Sequence, residues 1–321
     1  MRLSFIQKSI LLAVAVLFFR ITAMAQTDLD AIMMSKNQFC TGLMYGSGSW
    51  NKYWEGTNYR ENLNLGTVSS NNVTVMGNYG LKDNLNILFS APYISNKASA
   101  GVLHPISGLQ DFSTWVKWMP IEKDLKAGTI SAYFMAGASF PMTDYVVDYL
   151  PLTIGLKSNT LSGRFMLDYQ IGSLFITGSE TYTIRGNSTL ERNSYFTTHQ
   201  IISNQVAMPA VNNLNLRLGY RSYWLIAEAV LNDSKTLGGF DITKNNMPFP
   251  SNRMNATTAG VNFKYEIEKV AGLSLVGGAN HVIKGRNVGQ STNYYGGLFY
   301  ILNFSKKVKN KPSQDQTNSQ N

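Results

Sequence analysis

The chain has 321 residues, of which 44% are hydrophobic and only 15% charged, with one cysteine and a formal net charge of +9. A lone thiol excludes an intramolecular disulfide framework, and the charged fraction is well below the roughly 25% usual in soluble domains. The positive charge sits at the ends: setting aside Arg2, Lys8 and Arg20, and Lys306, Lys307, Lys309 and Lys311 against Asp315, leaves about +3 for the body, which removes the case for a nucleic-acid-binding surface.

Arg2 and Lys8 precede an apolar run from Ile10 to Phe19, and Ala23-Met24-Ala25 comes next. This is the pattern of a secretory signal peptide cleaved after Ala25 (residues 1–25), because about ten apolar residues cannot span a bilayer as a helix. Residues 26–38 form a short leader in which Asp28 is placed to cap one turn over Leu29, Ile32 and Met33. Two readings stay open for it: a piece tucked into the mouth of a barrel, or an unstructured start.

From Phe39 the chain alternates with period two. The clearest case is the hairpin from Asn71 to Tyr93, where Val73, Val75, Tyr79, Leu85, Ile87 and Phe89 share one face. Asn72, Thr74, Asn78, Asn84, Asn86 and Ser90 share the other, around a turn at Lys82-Asp83-Asn84. Twelve strand-like runs are expected, beginning with Phe39–Trp54 and the two arms of this hairpin. The next five are Gln110–Met119, Thr129–Phe140, Leu161–Ile171, Leu174–Arg185 (with room for a bulge at Glu180) and Tyr195–Met208, of which the last alternates poorly. The final four are Leu214–Leu225, Ala256–Glu266, Leu273–Ile283 and Asn293–Phe304. Tight connections at Lys82–Asn84, Gly172-Ser173 and Ala210–Asn213 are interspersed with long ones such as Pro141–Thr160 and Leu231–Met254. Tyrosine and tryptophan fall near strand ends, among them Tyr93, Trp118, Tyr169, Tyr220, Tyr265 and Tyr294.

Low charge, alternating strands, alternating loop lengths and aromatic girdles together point to an all-β fold: a transmembrane antiparallel β-barrel of about twelve strands spanning residues 39–304. It is expected in the outer membrane of a Gram-negative cell with both termini periplasmic, followed by a basic, disordered tail at 305–321. Its apolar face then meets lipid. The inner face carries Asp111, Lys117, Arg164, Asp168, Arg217, Arg221 and Lys264, with Trp115 among them, and these are the candidate lumen or solute-path residues. A salt-bridged network that merely packs a narrow barrel is the competing account. Trp115, Met119, Tyr133, Met135, Met166, Phe299 and Ile301 give the same face an apolar character that suits a constricted passage for apolar or aromatic molecules.

Catalysis has little support. His104, His199 and His281 lie far apart in the predicted topology, and only Ser107 lies near His104. No metal-ligand spacing and no phosphate-cradling glycine run is present, so no metal or cofactor is expected.

The stretches YGLKDNLNILFSAPYIS (Tyr79–Ser95) and GLQDFSTWVKW (Gly108–Trp118) resemble a recurring pattern of the outer-membrane barrels named after the meta-cleavage pathway of phenol degradation. SWNKYWEG (Ser49–Gly56) and GRNVGQS (Gly285–Ser291) are similar to stretches of Bacteroidetes-type members. The resemblance implies a relation to channels for hydrophobic compounds such as long-chain fatty acids and aromatic hydrocarbons, and maps Asp111 and Lys117 onto the pattern's Gly-x-x-Asp…Lys strand. The leader here is much shorter than the N-terminal hatch of the fatty-acid transporters. The expected function is passive uptake of small hydrophobic or aromatic solutes. The alternatives are a structural or surface-binding barrel and, more remotely, an outer-membrane lipid hydrolase. Expected partners are outer-membrane lipid, the barrel-assembly machinery and small hydrophobic solutes.

Overall fold

The computed structural model describes residues 27–197, 199–243 and 248–304. The expected signal peptide and basic tail lie outside the described residues. Twelve long strands form one closed antiparallel barrel, with no helix among the described residues. They are β1 (Gln38–Trp50), β2 (Val68–Lys82), β3 (Leu85–Ala98), β4 (Asp111–Asp124), β5 (Thr129–Pro141) and β6 (Thr160–Ile171). The second half comprises β7 (Leu174–Arg185), β8 (Val211–Arg221), β9 (Leu225–Thr236), β10 (Asn255–Glu266), β11 (Leu273–Arg286) and β12 (Thr292–Asn303). Each strand pairs with its neighbours in sequence, and β1 pairs with β12 from Gln38↔Asn303 to Ser49↔Thr292, so no edge is left unpaired.

The alternation places its two faces as expected. Val75, Phe134, Phe165, Leu218, Phe263 and Leu298 are outward and exposed, and together with their neighbours form the apolar belt. Asn78, Asn86, Lys117, Arg164, Asp168 and Lys264 are inward and buried. Tight turns such as Asp83-Asn84 and Gly172-Ser173 gather at one end, called here the turn end, where β1 begins and β12 finishes. Gly172 takes φ +57 in the second of these, a conformation that favours glycine.

Several expected elements are corrected. The first strand stops at Trp50, and Lys52–Glu55 instead pairs with Asn58–Glu61 as a separate hairpin at the loop end. The fourth does not stop at Met119. Pro120 cannot donate to the ladder, so the register shifts between Trp118 and Ile121 and the strand then continues to Asp124. Glu180 makes no bulge, because β7 pairs continuously with both neighbours through it.

Tyr195–Met208 is not a barrel strand but a loop with short paired pieces, Ser188–Thr189 with Gln205–Val206 and Tyr195–Phe196 with Gln200–Ile201. The strand that restores the count is Leu225–Thr236, placed at the end of one expected strand and the start of an expected loop. Its inward face mixes Ile226 and Val230 with Glu228, and its outward face mixes Leu231 with Asp233 and Lys235, so its alternation in polarity is lost. The tight connection is accordingly Ser222–Trp224, not Ala210–Asn213.

At the loop end, the connections pack on one another. Leu190, Val206, Met208 and Phe249 form one apolar cluster, and Tyr145, Val147 and Ile154 form another against Ile94 and Ile106. Trp50 and Trp54 belong to this end. They lie on Gly289 and Gly285, where any β-carbon would collide with their rings.

Candidate functional site in the barrel lumen

The leader does not form the expected helical turn. It runs as an irregular segment inside the barrel, and Asp30 holds its own bend by accepting from the Ile32 amide at 3.2 Å. The wall grips it chiefly through its backbone. Lys117 Nζ donates to the carbonyls of Asp30 (2.5 Å) and Ile32 (2.9 Å), the Tyr133 hydroxyl to that of Ala31 (2.9 Å), and Arg164 to that of Asp28 (2.6 Å). Two ion pairs are added: Lys117 with Asp30 at 3.3 Å and Arg164 with Asp28 at 3.1 Å. Lys117 is wholly buried, so its charge depends on these acceptors in place of water.

The β2–β3 hairpin holds the other end of the leader. The Lys36 amide donates to Asp83 at 2.9 Å, and the Asn37 amide to the Gly80 carbonyl at 2.8 Å. Gly80 is a required close approach, since a β-carbon there would strike the Met34 and Ser35 carbonyls. With its amide turned to satisfy both groups, Asn86 accepts from the Met34 amide at 2.6 Å and donates to the Met34 carbonyl at 3.1 Å.

The apolar inner residues have the same partner. Ala31 and Met33 pack with Trp115, Met119, Tyr133, Met135 and Met166, and Met34 packs with Cys40, Phe299 and Ile301. The aromatic and aliphatic inner face is thus largely the seat of the leader. The Arg164 guanidinium also lies 4.5 Å over the Trp115 ring, a cation–π contact.

Across the lumen, a second network links β6 to β12. Arg217 pairs with Glu228 at 2.6 Å and donates to Asn215, and Asn262 donates to Glu228 at 2.8 Å and accepts from Tyr295. Arg221 pairs with Asp168 at 3.1 Å while lying 4.1 Å over the Phe175 ring, and Lys264 meets Glu266 at 2.5 Å. A cavity of about 350 Å³ separates this wall from the leader. Met44, Met76, Ile226, Val276 and Phe299 give it an apolar side, and Arg217, Glu228, Asn262, Lys264 and Tyr295 a polar one.

All eight candidate residues face the lumen or its loop end. Arg164 and Asp168 share a face yet bind Asp28 and Arg221, respectively. Asp111 does not meet Lys117. It accepts from the Tyr145 hydroxyl at 2.6 Å, which ties the loop after β5 to the wall. Burial first and then the Asp111 carboxylate push the Tyr145 hydroxyl well above the ordinary phenol range. Among the partners, Asp30, Glu228 and Glu266 are not singled out by the spacing rules, and Asp28 is singled out only as a helix cap. The two aspartates lay before the first strand, and Glu228 lay within the strand whose alternation is broken. His104 and His199 sit in separate loops, and His281 faces outward with Nδ1 2.8 Å from the Thr292 hydroxyl.

No family model and no curated protein matches the chain. Its fold is similar to that of solved outer-membrane proteins. An outer membrane channel from Pseudomonas putida F1 superposes with a TM-score of 0.69 at 12% identity, over 86% of this chain and all of that one. The translocator domain of the autotransporter NalP from Neisseria meningitidis gives 0.45 at 13% identity, over 93% and 95% of the two chains. The KdgM porin gives 0.37 at 10% identity, over 81% and 98%. The chain therefore has the fold of a Gram-negative outer-membrane β-barrel.

Proposed function

We propose that this protein is an outer-membrane channel for small, largely apolar solutes, and that the leader is a strap that narrows its lumen. The observation carrying this reading is the amphipathic cavity of about 350 Å³ beside the leader, within the size range of small-molecule sites. Methionine and phenylalanine on one wall suit an aliphatic or aromatic body, and the polar residues opposite suit one polar tip. Lys117, Arg164 and Trp115 serve the strap. Arg217, Arg221 and Lys264 line the cavity, and Asp168 braces Arg221 from behind. Resemblance of Tyr79–Ser95 and Gly108–Trp118 to the meta-pathway barrels supports the same solute class, and the turn end then faces the periplasm.

A second reading, a barrel without transport, is favoured by the pairing of five inner cations, Lys117, Arg164, Arg217, Arg221 and Lys264, each with an acid. Uptake of a neutral aromatic tracer into vesicles holding the purified protein separates the two. Transport predicts entry faster than into protein-free vesicles, and equal rates contradict it.

A further inference from the structure

On the outer wall, one carboxylate is out of place. Glu180 points outward from β7 with Ile176, Gly178 and Tyr182. Its depth follows from the register, since hydrogen-bonded rows run obliquely across a tilted barrel. From Glu180 one row passes through Leu214, Asp233 and Thr257 to Lys284, near the loop end of β11. In the other direction it passes through Phe165, Phe134 and Trp118 to Leu85, the first residue of β3 at the turn end. Glu180 is four strands from either end, so it lies near mid-height. Tyr182, Ile184 and Leu161 continue the apolar surface beyond it toward the loop end.

An ionisable group at this depth is costly against acyl chains and calls for a partner. Among the described residues, its carboxylate accepts a hydrogen bond from the Asn212 amide on β8, at 2.9 Å. A second, separate feature adjoins it. Gly163 and Gly178 both face outward, and a β-carbon at either would meet nothing within 4 Å. Other strand glycines are explained inside the chain, among them Gly77 and Gly277, each covered by a phenylalanine ring. A glycine in a strand weakens it unless another backbone or ligand approaches closely, and no part of the described chain approaches these two.

We propose that the β7–β8 seam of the outer wall is an interface with a second copy of this chain, related by a two-fold axis along the membrane normal. Such an axis keeps every residue at its own depth and sets Glu180 of one protomer opposite Asn212 of its partner. Asn212 Nδ2 carries two hydrogens, so one bonds the carboxylate of its own chain and the other that of its partner. Acyl chains offer no donor to Glu180, whereas a second copy brings a donor at the matching height. Gly178 and Gly163 let the two walls approach.

Cysteine crosslinking of the full-length protein in native outer membranes tests this. Leu214→Cys, beside Glu180 on the row, should give a disulfide-linked homodimer under mild oxidation, and Val261→Cys on β10 should not. The natural Cys40 is buried inside the barrel and does not compete. Adding Gly178→Leu to Leu214→Cys should lower the dimer yield at least tenfold while β-sheet circular dichroism is retained, because its side chain enters open space. Glu180→Leu should also lower the yield while making the barrel itself more resistant to unfolding. A Leu214→Cys yield no higher than that of Val261→Cys, a yield indifferent to Gly178→Leu, or a crosslink to a different protein would each overturn the proposal.

Discussion

Lys117 Nζ lies 2.5 Å from the backbone carbonyl of Asp30 and 3.3 Å from its carboxylate, with the lysine side chain wholly out of contact with solvent. The barrel wall thus spends a buried cation on a segment that precedes the first strand. Removing one member of a buried pair typically costs about 3–5 kcal/mol, and here the strain is relieved if the leader leaves the lumen. Lys117→Met should therefore shift leader docking by about 3 kcal/mol, roughly a hundredfold in population, while the barrel stays folded. Protease cleavage within residues 27–36 reads this directly. Asp30→Asn, which keeps the carbonyl acceptor, should have the smaller effect.

Gly80 supplies a steric counterpart. Its absent side chain leaves the space occupied by the Met34 and Ser35 carbonyls. Gly80→Val should displace the leader without touching any ion pair, and Val is well suited to a strand. The expected outcome is a leader as protease-sensitive as in Lys117→Met, with β-sheet circular dichroism retained. A protected leader would show that the contact is slack.

At the loop end, Asn287 joins three connections. Its side-chain oxygen accepts from the Gly56 amide (2.7 Å) and the Ile242 amide (3.0 Å), and its nitrogen donates to Asp241 (2.7 Å) and the Arg253 carbonyl (2.8 Å). It does so at φ +54. Asn287→Ala leaves these groups unpaired and adds backbone strain, for a cost of about 2–4 kcal/mol. Asn287→Gly, which relieves only the strain, should be milder. Proteolysis between Lys52 and Glu61 should rise in the order wild type, Gly, Ala.

The same cluster has a pH limit. Hydrogen bonds from Arg286, opposed by burial and assisted by Asn287, hold the Asp241 carboxyl down at about 2. A carboxyl lowered on folding contributes stability that is full above its unfolded value, near 3.8, and is lost as pH falls through the folded one. The loop cluster should therefore stay closed at pH 3 and open near pH 2. Fluorescence of Trp50 and Trp54 reports this, with the other tryptophans replaced by Phe. Asp241→Asn should remove the acid transition.

The barrel was legible because lipid outside and side chains inside impose period two, as Phe165, Leu167 and Tyr169 against Arg164, Met166 and Asp168 display. The rule fails where both faces are mixed, and Leu225–Thr236 was missed for that reason. Spacing identifies lumen-facing charges but not their partners, because register between distant strands is invisible in one chain. Arg164 thus found Asp28 and not Asp168. The stretches that carry the family resemblance prove to be contact sites. Gly80, Asp83 and Lys117 hold the leader, and Trp54, Gly56, Gly285 and Asn287 meet in the loop cluster.

Whether the leader sets the width of the lumen is read most directly from planar-bilayer conductance of the wild type against the double variant Lys117→Met with Arg164→Met. Single-channel conductance should rise stepwise when both anchors are lost. Equal conductance in the two proteins, with the leader shown by proteolysis to be released in the variant, would contradict it.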